Sequence, residues 1–278
     1  MGFVDERRAL LAMTGADARA VLQGVVTNDV DQVAPGRAVY AALLTPQGKY
    51  LFDFFLLDGG DGGVLIDVAA NRADALAGRL KMYCLRRDAA IAPVAQMGVG
   101  LVWAASQDGA APPRDAAATL VPDPRHPALG WRLYAGDPAG VLDALTARAA
   151  THADYDALRV AHIVPEGGAE LVPEDSFILE MGFERLSGVD FRKGCYVGQE
   201  VTARMKHKTD LRKGLVQVAV SGAAAPGTEI RAGGKPAGTL FTTSGDTGLA
   251  HLRYDRAGAG MQADTATVDY TSPEGPRP

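Results

Sequence analysis

The 278-residue sequence predicts an α+β protein that closes with a small β-barrel or sandwich. Three observations lead there. Up to about residue 205, stretches with helical spacing alternate with stretches that read as strands. After Lys213 the helical spacing stops, and short strands alternate with Gly- and Pro-containing turns. Hydrophobic residues make up 47% of the chain, enough for a sizeable core, and the length favours two or three compact units. The division is placed between a region over residues 1–205, read as two intertwined α+β domains, and a barrel domain over residues 206–278.

The elements follow in order. A first helix is expected from about Asp17 to Gln23, followed by a loop carrying Thr27, Asn28 and Asp29. Arg37 to Leu44 and Lys49 to Asp58 read as a hairpin joined by Thr45-Pro46-Gln47-Gly48, a type I turn with Pro second and Gly fourth. Gly63 to Ala69 is a third strand after a glycine-crowded turn. From Asn71 or Arg72 to Cys84, Leu76, Leu80 and Tyr83 share a helical face, and Cys84 reads as core packing. Ala89–Val94 and Gly98–Ala104 are short strands. Ser106 to Pro127, rich in Ala, Pro and Asp, reads as a surface excursion. Helices are expected from Asp137 or Pro138 to Ala149, with Pro138 at a helix start, and from Asp154 to His162. The barrel strands are Gly214–Val220, Thr228–Arg231, Pro236–Thr243, Leu249–Tyr254 and Ala266–Tyr270.

Composition narrows the function. Net charge is -5, which speaks against a generally basic nucleic-acid binder but leaves room for a local basic patch. No apolar run approaches the roughly 20 residues that span a bilayer, and residues 1–8 lack the apolar stretch of a signal peptide. A soluble, cytoplasmic protein with no membrane partner is the expectation. The two cysteines, Cys84 and Cys195, form no Cys-x-x-Cys pair, and the five histidines show no metal-ligand spacing. No metal site within the chain is expected. No Gly-rich phosphate loop or serine nucleophile motif is present.

Three places carry candidate chemistry. The octapeptide Lys193-Gly194-Cys195-Tyr196-Val197-Gly198-Gln199-Glu200 brackets a thiol and a ring with two glycines that allow close approach. Arg192 and Lys193 precede the thiol, and a nearby cation favours the reactive thiolate; the alternative is a structural turn around a small buried Cys. In the strand Tyr50 to Leu57, alternation puts Leu51, Asp53, Phe55 and Leu57 on one face and Tyr50, Phe52, Phe54 and Leu56 on the other. Both faces are apolar, so Asp53 is a carboxylate among apolar neighbours, costly unless bonded, paired or protonated. It is a site candidate, against the plainer reading of an Asp that satisfies a neighbouring loop. Arg204, Lys206, His207, Lys208, Arg212 and Lys213 form a basic run, read first as a solvated face and second as a patch for an anionic folate tail or for RNA phosphates.

The octapeptide resembles the motif of the YgfZ family, folate-binding proteins related to the glycine-cleavage T-protein, an aminomethyltransferase, and to mitochondrial iron–sulfur assembly factors. Leu22-Gln23-Gly24-Val25-Val26-Thr27-Asn28-Asp29-Val30 is similar to the family's N-terminal segment, and so is Leu44-Thr45-Pro46-Gln47-Gly48-Lys49 with the Asp53 strand. Leu179-Glu180 departs from the Pro-Gln of many bacterial members. Phe177-Ile178-Leu179-Glu180-Met181-Gly182 is closer to the T-protein segment that supplies a folate-contacting glutamate. The resemblance implies a cloverleaf of three domains around a central folate hole. It implies tetrahydrofolate or a one-carbon derivative as cofactor, contacted by Asp53 and Glu180 and attended by Asn28, Tyr196 and Arg204. A carboxylate such as Glu180 accepts two parallel N–H bonds from a pterin edge; the alternative is a solvent-facing Glu in a short helix. The implied role is assembly or repair of iron–sulfur proteins through Cys195, with those proteins as partners. One cysteine cannot hold a [2Fe–2S] cluster, so any cluster would be shared with a partner. Two alternatives stand: a folate-dependent aminomethyltransferase or demethylase with Asp53 at the reacting folate, and an accessory protein of tRNA modification. No complete catalytic constellation is legible.

Overall fold

The computed structural model describes residues 1–104, 118–208 and 211–271. In chain order, β1 (Gly2–Val4) and β2 (Arg8–Thr14) precede α1 (Ala18–Gln23). β3 (Val39–Leu44), β4 (Tyr50–Asp58) and β5 (Val64–Ala69) lead to α2 (Ala73–Tyr83), then β6 (Ala90–Val94), β7 (Gly98–Val102), β8 (Ala118–Pro122) and β9 (Trp131–Ala135). α3 (Pro138–Ala144), α4 (His152–Ala161) and α5 (Gln199–Lys208) follow. The last six strands are β10 (Lys213–Ser221), β11 (Thr228–Ala232), β12 (Lys235–Ser244), β13 (Thr247–Arg253), β14 (Met261–Ala263) and β15 (Ala266–Asp269).

The body is layered. A five-stranded sheet in the order β3-β4-β5-β2-β6 carries α1 and α2 on one face, where Val21, Leu22, Leu76 and Leu80 pack on Phe52, Phe54 and Leu56. Its other face lies against a four-stranded sheet, β1-β7-β9-β8, through Phe55, Leu57, Leu101, Val121 and Tyr134. β4 is therefore covered on both sides, as its apolar residues on both faces of the strand require. α3 closes the outer side of the second sheet with Val141 and Leu142 on Leu133. The helix starts are chemically marked. Asp137 accepts from the Gly140 N–H ahead of Pro138, and Thr151 and Asp154 form a reciprocal capping box at α4. The last six strands close a barrel, β10-β13-β12-β11-β14-β15, around its own core of Val218, Ile230, Leu240 and Leu252.

The α+β class and the C-terminal barrel stand as expected. Several details do not. Alternation along β4 breaks at its start, because a bulge pairs Leu44 with Tyr50 and Leu43 with Phe52, leaving Leu51 as the extra residue. Tyr50 therefore shares a face with Asp53 and Phe55, and Leu51 joins Phe52 and Phe54. The Ser106–Pro127 excursion is corrected at its end: Ala118–Pro122 is a strand paired with β9, while residues 106–117 lie outside the described residues. Leu120-Val121 is too short an apolar signal to outweigh the Pro and Asp around it. β1, β2, β9, β14 and α5 are not among the expected elements, and the helix from Pro138 ends at Ala144 rather than Ala149.

Candidate functional site

Cys195 is exposed, on the loop that leads into α5. Two other segments singled out by resemblance, Leu22–Val30 and Leu44–Lys49, converge on this loop. Upstream, Asp190 N–H donates to the Thr27 carbonyl at 3.1 Å, and Thr27 Oγ1 donates to the Gly188 carbonyl at 2.7 Å. Lys193 Nζ then donates to the carbonyls of Val26 and Asn28, each at 2.7 Å. Downstream, Tyr196 is buried in the core between the sheets, and its phenol is pushed up to about 12 by burial. Gly198 sits at φ +84 against the hairpin turn, where a Cβ would come within 2.6 Å of the Thr45 carbonyl oxygen. Gly194 is different: a Cβ there would meet nothing within 4 Å. Gly194 and Cys195 thus stand exposed between two anchors, Lys193 and Tyr196.

The expected thiol-activating cation is not where the sequence put it. The Lys193 ammonium is half-buried and spent on the two carbonyls, and burial draws it down to about 8 despite Asp29 and Asp190 nearby. Arg192 is 93% exposed, with its guanidinium 4.0 Å from Asp190. Asn28 is also structural in this geometry: its amide nitrogen donates to the Tyr40 and Ser187 carbonyls at 2.8 and 2.7 Å. Its side-chain oxygen accepts from Asp29 N–H. Gln199 Nε2 reaches the Gly194 carbonyl at 3.5 Å, and Arg204 pairs with Glu200 at 2.9 Å across one turn of α5. Lys206 pairs with Glu184, so two cations of the basic run are engaged.

Glu180 belongs to a second place. A cavity of about 670 Å³ lies where the body meets the barrel, lined among others by Lys49, Glu180, Lys213, His251, Arg253 and Arg256. Glu180 Oε2 is 3.1 Å from His251 Nε2 on β13, and the Glu180 carbonyl accepts from Leu215 N–H at 2.8 Å. Arg253 is paired with Asp255, whereas Lys213 has no carboxylate within salt-bridge distance among the described residues. The lining mixes four carboxylates, Glu170, Asp175, Glu180 and Glu229, with the cations Lys49, Lys213, Arg253 and Arg256; Glu170 and Glu229 are already paired with Arg159 and Arg231. Such a lining can meet both donor and acid groups of a ligand.

Asp53 is not among the residues lining that cavity. It is 7% exposed, and both oxygens are bonded: Tyr50 Oη donates to Oδ1 at 2.7 Å and Tyr40 Oη to Oδ2 at 3.0 Å. Burial, and next the Asp53 charge, push both phenols well above their ordinary value. The bulge at Leu51 is what brings Tyr50 to this face. Gly167 seals the group from the other side, since a Cβ there would be 2.5 Å from Asp53 Oδ1 and 2.7 Å from Tyr50 Oη. Its strap is held by the buried Glu170, which accepts from Arg159 and from the Glu166 N–H and reaches Thr242 of the barrel.

Sequence reading missed Gly167, His251 and a buried ionic network between the two sheets. Asp67 binds Arg8 at 2.7 Å and Arg132 at 2.6 Å, and Asp123 binds Arg125 at 2.7 Å. The guanidiniums of Arg8, Arg125 and Arg132 lie 5.5, 4.8 and 3.9 Å from the centre of the Phe55 ring. An unpaired-looking Asp in the apolar stretch Val64–Ala69 was the one available signal. Among the described residues, no group of three or more His, Cys, Asp or Glu side chains could hold a metal ion, and no helix is long and apolar enough to cross a membrane.

Comparison with known proteins adds the following. Residues 212–277 match the family described as CAF17, C-terminal beta-barrel domain. The iron-sulfur cluster assembly factor IBA57, mitochondrial, of Homo sapiens is 34% identical over 274 residues, covering 88% of this chain and 75% of the relative. The Mus musculus protein of that name is 32% identical, covering 89% and 76%. The mitochondrial IBA57 homolog of Phaeosphaeria nodorum is 32% identical, covering 89% and 69%. The crystal structure of glycine cleavage system aminomethyltransferase T from Bartonella henselae superposes with a TM-score of 0.76 at 12% identity, covering 98% of this chain and 85% of the other. That likeness establishes a T-protein-like fold. The cytoplasmic expectation is overturned: the three relatives are all named as mitochondrial, which points to the mitochondrion. Composition and the lack of long apolar runs say nothing about which compartment holds a chain.

Proposed function

The chain belongs to the family of the iron–sulfur cluster assembly factor IBA57, and from that premise we propose that it serves iron–sulfur cluster assembly or repair through the thiol of Cys195. The observation that carries the reading is the display of Cys195. An exposed thiol stands between the half-buried Lys193 and the buried Tyr196, on a loop held by two other segments of the chain distant in sequence. A loop fixed at both ends presents a sulfur at low entropic cost to an incoming protein. A [2Fe–2S] cluster needs about four ligands, so Cys195 contributes one and a partner protein the rest. The test is complementation. In cells lacking this protein, the wild-type chain restores the activity of iron–sulfur enzymes under oxidative stress and Cys195→Ser does not; equal rescue by both ends the proposal.

A reduced folate is proposed for the cavity at the barrel junction. Glu180 supplies the acceptor for the amino-pyrimidine edge, and Lys213 and Arg256 face the acid tail. The fit is chemical: Glu180 offers an acceptor and Lys213 and Arg256 offer cations, while Glu170 and Glu229 in the same lining are already paired with Arg159 and Arg231. Asp53, behind Gly167 and capped by two tyrosines, joins such a ligand only if the Gly167 strap moves. That favours binding over the aminomethyltransferase chemistry of the second reading. Calorimetric titration of tetrahydrofolate into wild type, Glu180→Gln and Cys195→Ala decides. Binding lost in the first variant and kept in the second supports a folate site separate from the thiol, and no binding to wild type removes folate from the proposal. A tRNA role through the basic run remains a weaker proposal, since Arg204 and Lys206 already hold carboxylates.

A further inference from the structure

We infer that Lys193 is a positioning residue for Cys195: its ammonium clasps the Val26 and Asn28 carbonyls and so fixes where the thiol is displayed. The inference rests on the reading of Cys195 as the working thiol. Lys193 Nζ makes two 2.7 Å hydrogen bonds to a segment 165 and 167 residues away in sequence, and lies 5.4 Å from the centre of the Tyr196 ring. These contacts bracket the thiol: the clasp lies two residues before Cys195 and the buried ring one residue after it.

The receiving segment is itself rigid. Thr27 Oγ1 accepts from Ala42 N–H at 2.8 Å, Thr27 N–H donates to the Ala42 carbonyl at 2.9 Å, and Asn28 ties Tyr40 to Ser187. Through Lys193 the loop is therefore referenced to β3, a strand at the edge of the five-stranded sheet. Two carbonyls converging on one point suit an ammonium, which offers three donors from a single nitrogen; a guanidinium spreads its donors over a planar fork and fits this cradle poorly. The half-burial of the amine agrees with a structural cation held by carbonyls rather than one left facing the sulfur.

The experiment uses the full chain with Cys84→Ser, so that Cys195 is the one thiol, and compares it with added Lys193→Met and Lys193→Arg. Amide hydrogen exchange is followed over the whole chain, and alkylation of Cys195 by iodoacetamide is measured from pH 6 to 10. The clasp predicts that both variants raise exchange at residues 193–198 by about tenfold or more, leave exchange in the sheets unchanged, and do not move the alkylation midpoint. Unchanged exchange at residues 193–198 overturns it. So does a rise spread over all elements, which marks a merely structural lysine, and so does a midpoint moved upward by half a unit or more, which marks a thiol activator. If Lys193→Met does not fold, Lys193→Gln is read in the same way. A wild-type Cys195 that resists alkylation at every pH refutes the working thiol, while the exchange arm still decides the clasp.

Discussion

Replacing Gly167 by alanine tests whether the Asp53 carboxyl is fixed by what lies over it. The new Cβ would sit 2.5 Å from Asp53 Oδ1 and 2.7 Å from Tyr50 Oη, where ordinary contact begins near 3.4 Å. Something must yield by about 0.7–0.9 Å. Asp53 has no free direction, because Tyr40 and Tyr50 hold both oxygens and the strand beneath is covered on both faces. Forced overpacking costs about 1–3 kcal/mol. Stretching a 2.7 Å hydrogen bond past its useful range adds about 1 kcal/mol. A loss of about 2–4 kcal/mol lowers the melting temperature by about 4–16 °C for a chain of this size. The assay is urea unfolding of Gly167→Ala, Tyr50→Phe and the double variant. Removing the Tyr50 hydroxyl takes away one of the two clashing atoms, so Gly167→Ala should cost at least about 1 kcal/mol less in the Tyr50→Phe background. Strict additivity, or a Gly167→Ala protein within about 0.5 kcal/mol of wild type, refutes the sealed-carboxyl account.

Asp67→Asn leaves Arg8 and Arg132 buried without their shared carboxylate and should cost about 3–5 kcal/mol in denaturant unfolding. The pH dependence has a definite sign. Burial alone would raise the Asp67 and Asp123 carboxyls, but the arginines beside them outweigh it and hold both below their ordinary 3.8. A depressed carboxyl contributes stability that is present above the unfolded value and lost as pH falls through the folded one, so stability should drop below about pH 4 and drop less in Asp67→Asn. Gly198→Ala, at φ +84 and against the Thr45 carbonyl, should destabilise the protein by about 2 kcal/mol or more and loosen the thiol loop in hydrogen exchange. Gly194→Ala meets no neighbour and should stay within about 0.5 kcal/mol of wild type; if it nonetheless fails to complement, the open space beside Cys195 is needed by a partner.

Asp53 and Lys193 show where legibility stopped. Asp53 was found because a carboxylate in an apolar run is costly, an argument local to one strand. Its surroundings were misassigned, since the one-residue bulge at Leu51 reverses the facing of Tyr50 and no local pattern announces it. Lys193 is expected beside the thiol but bonds two distant carbonyls, because adjacency in sequence says nothing of where a four-carbon stem points.

The sequence alone determined the α+β body, the hairpin with its Thr45–Gly48 turn and the C-terminal barrel, and it singled out the Cys195 octapeptide on which the proposal rests. Each rests on periodicity, turn chemistry or a short exact string, and those are properties of neighbours along the chain. The tertiary structure alone decided that two distant segments meet at the Cys195 loop, that Glu180 bonds His251 in the lining of a cavity while Asp53 lies behind Gly167, and that Arg8, Asp67 and Arg132 pair between the sheets. Those are contacts between residues about 60 to 170 positions apart, set by how the sheets stack and how the barrel seats, and a single chain read along its length carries no distance between them.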